Sequence, residues 1–300
     1  MPDLNPLLDE YLAQHQQTII DELMTLIRIP SISQIKAHWP DCYRVVDKMA
    51  EIVSAYGFEP EIVETAGCPA LIATLETDVA RPWLFVYNHL DVQPAAEPQW
   101  VTEPFEPVLK DDRIVGRGST DDKGPTLTTL HAIHCLHRAG LPLPNIQLIY
   151  ETEEESGSGN FGAMLDASRT RLQTPASILV SDTIFEGDHP AITYRLRGLL
   201  EAEASLSTGS QDLHSGMVGG AAINPLNVLI QALSKCVDAK GQVTIPGVIE
   251  ELPPVTAAES STLAHTATIF DFEKLVADTG GALMYSQDAR ELLERIWVQP

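Results

Sequence analysis

In Leu148-Ile149-Tyr150-Glu151-Thr152-Glu153-Glu154-Glu155-Ser156-Gly157 an apolar run, begun at Ile146, passes without a break into acid. The run reads as a buried strand; the five residues after Tyr150 include four carboxylates. Like charges at that spacing repel, and each resists leaving water. A folded chain carries them at a strand end where water or cations are at hand. Two other apolar runs end in kind: Trp83-Leu84-Phe85-Val86-Tyr87 before Asn88-His89-Leu90-Asp91, and Ile178-Leu179-Val180 before Ser181-Asp182. Open α/β sheets bind ligands in the crevice outside the carboxyl ends of their strands. Three strand ends bearing His, Asp and Glu therefore predict one site, with donor types suited to a hard or borderline divalent metal.

The surrounding pattern fits that sheet. Leu7, Leu8, Tyr11, Leu12, Ile19, Ile20, Leu23, Met24 and Ile27 recur at helical spacing and predict a helix from Asn5 to Arg28, stopped by Pro30. A second helix is expected from Cys42 to Tyr56, then strands at Glu61–Val63, Ala70–Leu75 and up to His89. A Pro-rich loop spans Asp91 to Gly116. Helices are expected from Pro125 to Ala139 and from Asn160 to Leu172, either side of the Ile146 strand. This βαβα alternation predicts an α/β fold on a mainly parallel sheet with helices on both faces. Near Ala191 the pattern changes. Residues 192–204 alternate like an antiparallel strand, and helices are expected at Asn224–Val237, Phe270–Ala277 and Ala289–Ile296, with a loop from Pro246 to Ser261. The expected domains are residues 1–197 and 198–300.

The 300 residues, 44% of them hydrophobic, suffice for a sizeable core in one large domain or two. A net charge of -23 repels phosphate backbones and anionic lipid surfaces, so neither nucleic acid nor membrane is expected as a partner. The four cysteines form no CxxC pair, which fits a reduced, cytoplasmic setting, and the first residues lack the pattern of a signal peptide.

Each candidate has a plainer reading. His89 and Asp91, at i and i+2, face the same way in an extended chain, so Asp91 is placed to fix the His89 tautomer; alone they read as a surface His and a turn Asp. Asp121 opens a helix, as an N-cap does, but the surrounding Gly116-Arg117-Gly118 and Lys123-Gly124 exceed what a cap needs. Glu153–Glu155 resemble a solvated charge run except that they end an apolar strand. Asp182 by itself reads as a turn residue. His131, His134 and His137 read as a mixed-polarity helix face rather than ligands. Gly157-Ser158-Gly159-Asn160-Phe161-Gly162 is a GxGxxG with Asp182 at the spacing of a ribose-binding acid, and predicts an NAD(P)-dependent oxidoreductase as the rival. Against it, Glu153–Glu155 would repel a pyrophosphate.

Together, His89-Leu90-Asp91-Val92-Gln93-Pro94, the Gly116–Gly124 segment, Glu154-Glu155-Ser156-Gly157, Ser181-Asp182, Ile27–Ser33 and Asp212-Leu213-His214-Ser215-Gly216 resemble the dinuclear zinc metallopeptidases, the family of carnosinase, glutamate carboxypeptidase and aminoacylase. The Asp-Val-Gln-Pro version is closest to the dipeptidase branch. The resemblance implies a catalytic domain with an inserted α+β lid and dimerisation domain. It implies two divalent ions, Zn2+ first, with Mn2+ or Co2+ suited as well. His89 and Asp182 would hold one ion, Glu155 the other, and Asp121 both, with a cis Asp121–Asp122 peptide. Glu154 would be the general base, Asp91 would orient His89, and His214 would reach the partner's active site in a homodimer. The substrate would be a dipeptide or N-acyl amino acid. The family also carries a last metal-binding His near its C-terminus. The chain reaches Pro300 without a matching motif, so the expectation is a C-terminally truncated chain with an incomplete lid, weakly active or inactive. A non-catalytic metal- or partner-binding fragment is the corresponding alternative.

Overall fold

The computed structural model describes residues 4–183, 191–193, 196–198 and 201–298. The chain divides into two compact units, Met1–Thr183 and Ile184–Pro300.

In the first unit α1 (Asn5–Ile27) and α2 (Trp39–Ala55) precede β1 (Glu59–Val63), β2 (Ala70–Leu75) and β3 (Trp83–His89). A hairpin, β4 (Val108–Lys110) and β5 (Arg113–Val115), interrupts the expected Pro-rich loop. Its turn residues Asp111 and Asp112 both take positive φ, 51° and 58°, as a two-residue turn matching the strand twist requires. Then come α3 (Lys123–Arg138), β6 (Asn145–Glu151), α4 (Phe161–Ala167) and β7 (Pro175–Val180). α4 stops five residues short of the expected Leu172, because the chain turns at Ser168, whose carbonyl accepts from Arg171 and Leu172 N–H.

The sheet order is β1-β2-β6-β3-β7. β3 runs parallel to both β6 and β7, and β2 is antiparallel to β1 and β6, so four of the five strands share one direction. β6 is buried along its whole length. Its residues alternate between two cores, as period-2 geometry demands. Ile146, Leu148 and Tyr150 pack with Leu26, Ile27, Val46, Met49, Leu127 and Leu130 of α1, α2 and α3. Ile149 packs on the other face with Ile72, Phe85 and Met164 of α4. Leu148, fully buried, is worth about 2–5 kcal/mol against alanine. Helices thus cover both faces and fix where β3 and β6 end.

The second unit contains α5 (Ser215–Val218), α6 (Pro225–Leu233), α7 (Ala257–Ile269), α8 (Phe272–Asp278) and α9 (Ala289–Trp297). α7 overlaps the stretch expected to be loop. It starts in a capping box, in which Thr256 accepts from Glu259 N and Glu259 from Thr256 N. α7 and α9 bury Leu263, Leu292 and Leu293. The strand expected over 192–204 is absent among its described residues; positions 194, 195, 199 and 200 lie outside them. Alternation alone makes no strand without a partner to take the backbone hydrogen bonds, and no described strand pairs with it. Among the described residues no helix is long and apolar enough to cross a membrane.

Candidate metal centre

Parallel pairing sets His89 opposite Glu151, and the end of β7 delivers Ser181 and Asp182 alongside, with Ser181 N–H donating to Tyr87 O (3.2 Å). His89 is buried at the end of β3. Its Nε2 lies 3.0 Å from Asp121 Oδ1 and 3.9 Å from Asp182 Oδ2. Asp121 is thus its ionic neighbour, but Nε2 makes no hydrogen bond among the described residues.

Asp122, beside the expected ligand Asp121, is also buried. Its Oδ2 accepts from Asn88 Nδ2 (2.8 Å) and His89 N–H (3.0 Å), whereas its Oδ1 has no partner. One ligand atom each from His89, Asp122 and Asp182 falls within 4.8 Å of the others. The Asp121–Asp122 peptide is cis, as the resemblance implied. The signal for Asp122 was its adjacency to Asp121; Asn88 had none beyond sitting before His89.

Asp91 does more than orient His89. It lies 3.3 Å from His89 Nδ1, but its oxygens also accept Ser33 Oγ (2.6 Å), Glu154 N–H (3.2 Å) and Glu155 N–H (3.1 Å). The turn carrying both glutamates, a short 3-10 helix over Glu154–Ser156, is therefore tied to β3 by one buried carboxylate. Ser31 Oγ donates to Leu90 O (2.7 Å), so the Ser31-Ile32-Ser33 loop braces the same segment. Lys123, wholly buried, donates to Leu26 O (3.0 Å) and Ile29 O (2.7 Å) and anchors the Asp121–Asp122 loop to the end of α1. Burial pushes its ammonium down to about 7.

Glu155 Oε2 accepts from Gln93 Nε2 (2.7 Å). Glu154 carries no side-chain hydrogen bond among the described residues. Burial raises the Glu154, Glu155 and Asp182 carboxyls above the usual range, with neighbouring carboxylates adding and His89 opposing. Asp122 rises to about 7 for the same first reason, burial. His89 rises to about 11: burial pulls it down, but Asp121 and Asp91 override that. So much negative charge draws a proton onto the imidazole; a cation answers the same demand. Two buried polar atoms that make no hydrogen bond among the described residues, His89 Nε2 and Asp122 Oδ1, in an imidazole–carboxylate set, fit a divalent metal.

The remaining candidates have surroundings of their own. His214 belongs to the second unit, exposed, its Nδ1 accepting from Gly216 N–H (3.0 Å) at the start of α5. His131 and His134 present Nδ1 to Tyr11 Oη at 2.9 and 2.8 Å. In the GxGxxG turn Ser158 Oγ donates to Glu151 and Asn160 Nδ2 to Glu153, both carboxylates. The turn thus serves the acidic strand end.

Fold and donors define an α/β protein with a histidine–carboxylate centre suited to divalent metal. The sequence pattern of peptidase family M20/M25/M40 matches residues 85–299, and the chain belongs to that family. It is 29% identical to the Cys-Gly metallodipeptidase DUG1 of Candida albicans over 99% of this chain and 64% of that protein. It is 32% identical to the Beta-Ala-His dipeptidase of Mus musculus over 77% of this chain and 48% of the relative. The crystal structure of human carnosine dipeptidase 1 superposes with a TM-score of 0.74 at 26% identity, covering 99% of this chain and 65% of that one. The chain thus spans about half to two-thirds of the length of these relatives.

Proposed function

We propose that this chain carries the metal centre of an enzyme that hydrolyses the amide bond of a dipeptide or N-acyl amino acid. The observation that carries the reading is the convergence of His89 at the end of β3, Asp182 just beyond β7, and Asp121 and Asp122 in the loop before α3, with His89 Nε2 and Asp122 Oδ1 buried and without a hydrogen bond among the described residues. His89 and Asp182 would hold one divalent ion, Glu155 a second and Asp121 both, with Asp122 a further donor in the same group. Zinc suits the set, and manganese or cobalt also do. A cation bound there supplies Lewis acidity, polarising a carbonyl and acidifying water.

The chain's own groups do the rest. Glu154 has no side-chain partner among the described residues and a carboxyl raised by burial. It is suited to take a proton from water and return it to the leaving amine, worth roughly 10²–10⁴-fold. Asp91 keeps it in place through its backbone N–H. His214 would steady the oxyanion from the partner's lid.

The first unit is the catalytic domain in this reading and the second the lid. Leu226, Ile230 and Leu233 sit exposed at i, i+4 and i+7 of α6, which supports a homodimer through that unit. The four free thiols support a cytoplasmic setting.

The test is metal content and turnover of Cys-Gly and β-Ala-His by the purified chain. The reading expects bound divalent ions, fewer in Asp121→Ala, and hydrolysis that Glu154→Gln abolishes while keeping the metal. Metal without hydrolysis in the wild type would favour a non-catalytic binding module. Protection by NAD(P) instead of metal would favour the oxidoreductase.

A further inference from the structure

Two adjacent glutamates, Glu154 and Glu155, share one short turn, yet the proposed function gives them opposite tasks: one must stay free to carry a proton, the other must stay fixed on a cation. The turn contains an asymmetry that separates them. Glu155 is held at three points. Its N–H donates to Asp91 Oδ2 (3.1 Å). Its carbonyl accepts from Gln34 Nε2 (2.6 Å) and Gln93 Nε2 (3.3 Å). Its Oε2 accepts from Gln93 Nε2 (2.7 Å). Gln93 is itself aimed by Gln34, whose Nε2 donates to Gln93 Oε1 (2.9 Å). Glu154 is held through its backbone alone, its N–H donating to Asp91 and its carbonyl accepting from Gly157 N–H (2.9 Å), and its carboxylate takes no hydrogen bond among the described residues.

We propose that Gln93, aimed by Gln34, is the positioning residue that fixes the Glu155 carboxylate for the metal and thereby leaves Glu154 as the base. The inference rests on the metal-centre reading above. A carboxamide suits the task. It donates one hydrogen bond without bringing a charge. An ammonium or guanidinium at 2.7 Å would neutralise Glu155 and compete with the cation for it. With Oε2 engaged, Oε1 is the oxygen left without a hydrogen bond among the described residues. Gln34 and Gln93 come from two loops, one after α1 and one after β3, so the pair also fastens the N-terminal segment to the acidic turn.

The experiment is a titration of the full 300-residue chain with Mn2+ alone, followed by calorimetry and by the electron paramagnetic resonance of free Mn2+. It compares wild type, Gln93→Met, Glu155→Gln and the double variant, with thermal unfolding of each as the fold control. Methionine keeps the length and removes both donors. Outer partners of metal ligands typically contribute roughly 10–100-fold to affinity, and Gln93→Met is expected to weaken one Mn2+ site by that factor in a chain that still unfolds cooperatively. In the Glu155→Gln background the same substitution should cost nothing further, because its target is gone. Wild-type affinity in Gln93→Met, or an equal loss in both backgrounds, overturns the proposal. A folded wild type that binds no Mn2+ overturns the metal-centre reading itself, a different result from a wild type that binds and a variant that binds equally well. Should Gln93→Met fail to fold, Gln34→Met at the surface decides: a smaller loss at the same site supports the proposal, and none overturns it.

Discussion

At the scale of single residues, the centre depends on groups that bind nothing themselves. Asp91 is buried with His89, Ser33 and two backbone amides around it. Asparagine there keeps the size but turns an NH2 toward donors that need an acceptor. A buried unsatisfied donor costs about 1–3 kcal/mol, and loosening an outer partner costs roughly 10–100-fold in metal affinity. Asp91→Asn is expected to show both, by denaturant unfolding and by Mn2+ titration; wild-type metal affinity would mean the Glu154–Glu155 turn holds its shape unaided. Gly124 is constrained by space. A Cβ on it would sit 2.0 Å from Ser119 O, and that is backbone with little room to yield. Gly124→Ala should therefore displace the Ser119–Asp122 loop, weakening metal binding more than a surface Gly→Ala does; the comparison is Gly140→Ala, whose Cβ meets nothing, though its φ of 69° adds a strain of its own. The sequence marks His89, Asp121, the Glu153–Glu155 run and Asp182 as candidates because each ends an apolar run or sits among glycines; the choice among the glutamates comes only from the family resemblance. It could not expose Asn88, Ser33 or Gln34, whose partners lie 34, 58 and 121 residues away along the chain. Nothing local marks such a pairing.

At the scale of elements, α1 and α3 meet through a polar cluster, with Tyr11, His15 and Glu22 on one side and His131, His134 and Arg138 on the other, closed by Tyr56 of α2. Burial, followed by the positive neighbours His131, His15, Arg138 and His137, holds His134 below the usual imidazole range. A His whose folded pKa is depressed binds fewer protons folded than unfolded. Its contribution to stability is therefore intact above the unfolded value, near 6.5, and falls as pH drops below it. The slope is at most about 1.4 kcal/mol per pH unit and smaller for a partly exposed ring. His134→Gln should flatten the loss of stability between about pH 6.5 and 5, measured by urea unfolding; an unchanged slope would show that His134 protonates equally well in the folded state. In the second unit the Thr256 cap is exposed, and Thr256→Ala should cost about 0.5–2 kcal/mol, seen as faster amide exchange in the first turn of α7. Elements rich in periodic apolar residues were legible: β2 falls on its expected residues, and α1, α3 and β6 within two. The hairpin was not, because Asp111-Asp112 lacks the glycine that usually announces such a turn. The T-x-x-E box of α7 was readable but was masked by the prolines before it. The alternation at 192–204 was a real pattern with no described strand to pair with.

At the scale of the whole molecule, every group proposed to hold metal lies in the first unit, while the second supplies only His214 to the proposed chemistry. The net charge of -23 gives any divalent cation a general welcome. Specific binding must therefore be told apart from counter-ion condensation. Ligand bound to the folded state alone stabilises by about 2.7 kcal/mol at 100 times its Kd, and only the unit that binds it gains this directly. Trp39, Trp83 and Trp100 belong to the first unit and Trp297 to the second. Unfolding measured with Trp297→Phe reports the first unit, and a variant keeping Trp297 alone reports the second. With Zn2+ or Mn2+ at about 100 Kd, the first report should shift by about that amount and the second should stay put. Asp121→Ala should abolish the shift, whereas diffuse charge neutralisation would survive it, since one acidic residue among 42 changes little. A shift of both units that Asp121→Ala leaves intact would return the acidity to a role in solubility alone.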